Sequence, residues 1–278
     1  MYDEFKTIGK SLLYHGKHND RVYIMKIFHE DFEKVIEESE ILAKQYNYGK
    51  IFAKSPKKYM ERLIRLGYKV EGEIDKFYQG KEDCIFMGKF FHKDREEEKN
   101  KEILEDVLKK SFMKEEIKKS KLLPKGYSIH SLDKNNVEEI ADLYKQVFPS
   151  YPFPVFDANY IKETMDENIE YMGIFYEGKL IAIASGEKYI EYGAVEMTDF
   201  ATLPQYRGQS LAIYLLEALE EKLLKTGEFQ TFYTIARANS YSMNITFKKK
   251  AYKFCGTLIN NTNISGSIES MNVWAKTV

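Results

Sequence analysis

Two cysteines, six prolines and one tryptophan are all that 278 residues hold of those types. Cys84 and Cys255 are too few for a disulfide framework, which excludes the small stapled secreted folds and suits a reducing cytoplasm. Apolar runs are short: none nears the roughly 20 residues a spanning helix needs. Met1-Tyr2-Asp3-Glu4 does not open like a secretion signal. Charge of one sign is missing too. Lys+Arg 42 against Asp+Glu 43 leaves a formal −1, so no general field draws nucleic acid or an anionic membrane. His15 and His18 have no Cys or further His nearby to complete a metal site, so a solvated turn is read there and no metal is expected.

What is present is apolar and charged residue in ordinary proportion, 44% and 31%, ample for the cores of one large or two ordinary domains. Strands are read over 7–14 and 21–28 around a turn at 15–20, then a helix over 30–46 with Phe32, Val35, Ile36 and Leu42 on its apolar side. A short strand over 50–54 leads to a helix expected to open at Ser55 as N-cap with Pro56 at its first position, and a hairpin covers 68–91. Residues 94–121 turn strongly charged, with Ile103, Leu104, Val107, Leu108 and Phe112 at helical spacing, which reads as a solvated linking helix. Pro124 and Gly126 end it. The domains are therefore set at 1–93, the linker at 94–121 and a second domain at 122–278. Tyr68-Lys69-Val70-Glu71-Gly72 echoes Tyr252-Lys253-Phe254-Cys255-Gly256, each after a short strand and a helix. On that echo, 1–93 is expected to be a smaller α/β domain, a degenerate half of the fold that follows.

The second domain reads strand 126–132, helix 134–147, a Tyr151-Pro152-Phe153-Pro154 break, helix 157–167, and strands 169–176 and 179–190. A strand over 194–202 then stops at Leu203-Pro204, and the polar turn Gln205-Tyr206-Arg207-Gly208-Gln209-Ser210 opens a helix carrying Leu211, Leu215, Leu216, Leu219 and Leu223 on one face. Gly227 closes that helix, and strand 228–236, helix 239–250 and strands 252–260 and 268–276 finish the chain. A glycine turn between strand and helix lets a phosphate approach free helix N–H groups, and it is also an ordinary way to bend a chain. The hexapeptide alone leaves both readings open.

The turn resembles the acetyl-CoA loop of the GNAT superfamily of N-acetyltransferases, Gln/Arg-x-x-Gly-x-Gly/Ala, with Gln205, Gly208 and the small Ser210 at its three fixed positions. The order of elements over 122–278 resembles the same family. The resemblance implies an α+β fold, a mixed twisted sheet flanked by helices, with acetyl-CoA as co-substrate. It further implies backbone contacts to the thioester from Phe200, Ala201 and Thr202, and a diphosphate held by Gln205, Tyr206, Arg207, Gly208, Gln209 and Ser210. Asn239, read also as a helix cap, and Phe247 complete the cofactor set. Glu196 falls where several family members keep a catalytic glutamate, and Asp199 follows three residues later, on the opposite face unless a bulge intervenes. The family's general-acid tyrosine falls on Phe247, which has no hydroxyl; Tyr241 and Tyr252 are displaced from that register.

Over the whole chain, Asn19-Asp20-Arg21-Val22-Tyr23, Phe52-Ala53-Lys54, the Tyr-Pro-Phe-Pro loop and Ala236-Arg237-Ala238-x-Ser240 look like the β-lysine N6-acetyltransferases. That family acetylates the terminal amine of β-lysine to make the compatible solute Nε-acetyl-β-lysine. Such an acceptor carries a carboxylate, for which Arg237 is the expected partner, and a chain of methylenes, for which Tyr151, Phe153 and Tyr233 are candidates. Rival readings keep the chemistry with a polyamine, α-lysine or protein amine, or make the chain an acyl-CoA-binding regulator without turnover. Oligomeric state has no signal in the sequence.

Overall fold

The N-terminal half begins as a meander. The computed structural model describes residues 2–118, 120 and 122–278. Strand β1 (Glu4–Ile8) turns into β2 (Ser11–Gly16) at Gly9, whose φ of +57° is the left-handed value such a turn asks for. The single strand expected over 7–14 is thus divided in two. β3 (Arg21–Lys26) passes through helix α1 (Phe32–Tyr46) to β4 (Lys50–Pro56), its parallel neighbour. The helix expected at Ser55 starts later. Ser55 is buried in β4 opposite Ile85, and α2 (Met60–Arg65) opens after a tight turn over Lys57–Tyr59. Pairing outranks capping here, because a β4 that stopped at Lys54 would leave two rungs against β6 unmade. β5 (Lys69–Tyr78) and β6 (Glu82–Phe90) form the expected hairpin.

The segment 94–121 is not one solvated helix. It is α3 (Lys93–Glu96) and α4 (Lys101–Phe112), with Lys119 and Lys121 outside the described residues. The break is fastened by polar contacts. Arg95 reaches Asp20 at 2.9 Å and the Asn19 carbonyl at 2.7 Å, while Asn260 Nδ2 donates to the carbonyls of Arg95 and Glu97 at 3.1 and 3.0 Å. α4 lies along the C-terminal half, Phe112 against Phe254 and Trp274.

The C-terminal half follows the order the family resemblance implied. It runs β7 (Tyr127–Leu132), α5 (Val137–Val147), α6 (Ala158–Glu167), β8 (Ile169–Tyr176), β9 (Lys179–Tyr189), β10 (Ala194–Thr202), α7 (Leu211–Leu224), β11 (Thr231–Arg237), α8 (Tyr241–Lys249), β12 (Lys253–Ile264) and β13 (Ser267–Thr277). Leu211, Leu215, Leu216, Leu219 and Leu223 of α7 are buried as their spacing predicts, each gaining roughly 1.5–3 kcal/mol, and Gly227 follows at φ +73°. Among the described residues no helix is long and apolar enough to cross a membrane.

All thirteen strands make one mixed sheet, ordered β1-β2-β3-β4-β6-β5-β12-β13-β11-β10-β9-β8-β7. Within it β1-β2-β3-β4-β6-β5 has the same sequence of neighbours as β8-β9-β10-β11-β13-β12, and β3/β4 and β10/β11 are the two parallel pairs. Their bulges also coincide. β5 slips against β6 between Val70 and Gly72 and again between Ile74 and Tyr78; β12 slips against β13 between Phe254 and Gly256 and between Leu258 and Thr262. The two echoed pentapeptides meet at the seam, where Gly72 pairs with Gly256. A methyl on Gly256 would stand 2.2 Å from the Glu71 carbonyl, so close approach demands glycine there. One hydrophobic core belongs to the N-terminal half, and the larger one runs across the seam to include Tyr14, Tyr23, Phe52 and Phe77.

Candidate active site

The sheet opens where the chemistry was expected. β10 and β11 pair only through Ala194–Thr231, Val195–Phe232 and Glu196–Tyr233, although both strands run on. β10 also carries an extra residue against β9 between Thr198 and Ala201, with Asp199 at φ +55°. Bulge and early parting together leave the β11-facing edge of Phe200, Ala201 and Thr202 unpaired, a row of backbone groups open to a ligand.

Beyond the split lies a cavity of about 440 Å³, walled by Phe200, Thr202, Tyr206, Arg207, Gly208, Gln209, Ser210, Leu211 and Ala212 among others. Ser210 has φ +58° and no side chain caps α7, so the helix begins with its positive end facing this space. Gly208, at φ +81°, has nothing within 4 Å of where a Cβ would stand. Arg207 Nε ties the turn to the Thr202 carbonyl at 3.1 Å, and Tyr127 donates to Gln209 at 2.7 Å. The turn suits a diphosphate: room above the glycine, free amides behind it and Arg207 beside it. Two expected members stand apart. Gln205 is exposed and off the cavity wall, whereas Ala201, its side chain buried, keeps its β11-facing backbone edge open. Asn239 is exposed on neither wall, and the cap of α8 is Ser240, which accepts from the Met243 amide at 3.4 Å. Phe247 is buried edge-on to Phe200, on the wall of a second cavity.

That second cavity, about 760 Å³, shares Phe148, Phe200, Arg237, Ser240 and Met243 with the first, so the two abut. The N-terminal half supplies Phe5, Leu12, Arg21, Tyr23, Met25, Lys26 and Phe52 to its wall. Glu196 faces Glu187 across the β10/β9 ladder. Burial, then the Glu187 charge, push the Glu196 carboxyl up to about 7; Lys54 and the Tyr233 hydroxyl, which donates to it at 2.8 Å, pull the other way. Burial raises Glu187 as well. Lys54 Nζ stands 3.3 Å from the Tyr233 hydroxyl and 4.0 Å from the centre of the Tyr189 ring, closing a chain from lysine through tyrosine to carboxylate.

The other expected residues are redistributed. Asp199 accepts from Tyr151, Ser185 and Thr198, so its oxygens are spent fixing the bulge rather than free to take a proton. Tyr151 gives its hydroxyl to Asp199, and Phe153 stacks on Tyr14 at 5.0 Å; both line the cavity as part of a loop that the N-terminal half grips through Tyr14 to the Pro152 carbonyl and His18 to the Tyr151 carbonyl. Tyr233 is buried behind Glu196 rather than along an acceptor chain. Arg237 is held by Glu269 with two bonds of 2.8 and 2.7 Å, which occupies the paired donors of one edge of its guanidinium. Tyr241 gives its hydroxyl to Asp106, which removes it as an acid. Glu187, Lys54, Arg21 and Tyr23 were not read as site residues. Arg21, Tyr23 and Lys54 lay in stretches of the family resemblance, and Lys54 after Ile51-Phe52-Ala53 and Glu187 after Leu180–Gly186 are charges that follow apolar runs.

Residues 136–246 match the Acetyltransferase (GNAT) family. The chain is 38% identical over 270 residues to a "Beta-lysine N(6)-acetyltransferase" of Methanococcus maripaludis, covering 97% of each chain. It is 32% identical over 266 residues to a protein of the same description from Methanosarcina mazei, covering 88% of this chain and 97% of the relative. It is 30% identical over 277 residues, 99% of each, to "N-acetyltransferase YodP" of Bacillus subtilis.

Proposed function

The chain belongs to the β-lysine N(6)-acetyltransferase family, within the GNAT acetyltransferases, and on that premise we propose that it transfers an acetyl group from acetyl-CoA to the N6 amine of β-lysine. The observation that carries this reading is Glu196, a carboxyl raised to about 7, standing where the sheet splits and on the wall of the larger cavity. Acetyl-CoA supplies the acetyl group as a thioester. The Gly208 turn and the start of α7 hold its diphosphate, and the open edge of β10 over Phe200 to Thr202 aligns the remainder toward the larger cavity.

The acceptor amine arrives as an ammonium, with an ordinary pKa near 10.4, and must shed a proton before its lone pair can attack. Glu196, about half ionised at neutral pH, accepts that proton. Glu187 adds a second negative charge opposite it and favours a cationic acceptor. The new N–C bond forms as the C–S bond breaks, and the sulfur departs as a thiolate, tolerable for a thiol of pKa near 8.5 without a protein acid. Asp199 is a positioning residue, fixing the bulge and Tyr151. We read residues 1–93 as a degenerate half of the same fold, supported by the matching strand order and bulges, and the two free cysteines support a reducing cytoplasm. Thioester cleavage measured with β-lysine, α-lysine, spermidine and no acceptor tests the proposal: β-lysine is expected to give the highest kcat/KM, and cleavage unaffected by any amine would reject it.

A further inference from the structure

Arg21 is the first residue of β3, in the half without a cofactor turn, and only 3% of it is exposed. It lines the larger cavity together with Glu196. Its Nη1 donates to the Asn261 carbonyl and, at 3.1 Å, to Thr262 Oγ1, both on the bulged stretch of β12. Its Nε is buried with no partner, and among the described residues no carboxylate forms an ion pair with it. The guanidinium lies 5.2 Å from the centre of the Tyr23 ring and 5.6 Å from that of Phe52. Of the other cations on the wall, Lys26 pairs with Glu191 and Arg237 with Glu269, and Lys188 is partly exposed.

A buried guanidinium held on one side and unpartnered on the other is costly unless an anion completes it. The anion that fits is a carboxylate, since the free edge of an arginine offers paired donors in its plane. Tyr23 feels both charges: burial and the Glu196 carboxylate raise its hydroxyl, and Arg21 lowers it. The cavity thus has a carboxylate end on β9 and β10 and a guanidinium end on β3.

We propose that Arg21 binds the carboxylate of the acceptor, so that the N-terminal half selects amines bearing a carboxylate at the end of the chain opposite the reacting nitrogen. This rests on the reading of the larger cavity as the acceptor site. It gives the half without a cofactor turn a task in substrate choice, and it replaces Arg237 in the role that sequence alone assigned.

The test compares β-lysine with 1,4-diaminopentane, which is β-lysine without its carboxylate, in wild type, Arg21→Gln and Arg21→Lys. Wild type is expected to prefer β-lysine, and Arg21→Gln to lower that preference about 100-fold, as loss of a buried charge partner does. Arg21→Lys recovers part of it. Calorimetric acetyl-CoA binding checks that each variant is folded. An equal loss on both amines in Arg21→Gln would mean a structural role and sink the proposal. So would a wild type that uses both amines equally, although acetyl transfer would then stand. If wild type transfers acetyl to neither amine, the function itself is wrong and this inference falls with it.

Discussion

In the N-terminal half the helix after the first parallel strand begins behind Asp31; in the C-terminal half its counterpart begins behind Ser210. Asp31 is occupied. Its Oδ2 accepts from the Lys10 and Ser11 amides at 2.8 and 3.1 Å and from the Ser11 hydroxyl at 2.9 Å, and a Cβ on Gly9 would stand 2.0 Å from its Oδ1. The β1–β2 turn thus leans on the carboxylate just ahead of α1. Nothing of the kind covers α7: its preceding turn carries Gly208 with open space above it. Two helices in the same place in the same strand order differ in whether the chain itself fills the end. The comparison teaches that a shared topology supplies a site only where the local turn leaves the helix start uncovered.

The largest effect is expected at Glu196, which has the split sheet to itself: Glu196→Gln should lower kcat/KM about 10³-fold at pH 7 while acetyl-CoA still binds. In wild type kcat/KM should fall as pH drops through about 7, because the base is then protonated, and the variant should lack that acid limb. An unchanged rate removes Glu196 as base. At the seam, Gly256→Ala should cost of the order of 3 kcal/mol in urea unfolding, since backbone lies 2.2 Å from the new methyl. Gly178→Ala, also left-handed but in open space, should cost less, and equal losses would mean the seam is not tight.

Gly208→Val, a β-branched residue at φ +81°, should weaken acetyl-CoA about 30-fold. Calorimetry on wild type should find one acetyl-CoA per chain; two would mean the N-terminal half also binds, which would overturn the contrast. The smallest effect is expected for Tyr233→Phe. Its hydroxyl stabilises ionised Glu196, so losing it should move the acid limb upward by up to about one pH unit.

The C-terminal half was legible because its signals are local. Leucine spacing gave α7, Gly227 its end, and the Gln205–Ser210 turn the cofactor side. Glu196 was named from its place on the strand, and Phe247 from the family's register. The acceptor side depends on partners far along the chain. Arg237 has the chemistry to hold a carboxylate, but whether it is free depends on Glu269, 32 residues away, reached only through β11 and β13 pairing. Asp199 likewise is consumed by Tyr151 and Ser185, which no sequence period places beside it. Ser55-Pro56 shows the reverse error: a sound local start signal overridden by rungs to Ile85 and Cys84.

The order of elements over 127–277 and the buried face of α7 were written in the sequence, because each depends on neighbours within one or two turns of chain; the Gly208 turn and the carboxylate on β10 were marked by the family resemblance. Tertiary structure alone decided which charges are free. Glu187 joins Glu196 through a strand ladder, Lys54 reaches them across the seam, and Arg21 keeps an open valence because β12 satisfies only one side of it. A charge becomes useful or spent according to what long-range packing brings within about 3 Å, and no periodicity encodes that distance.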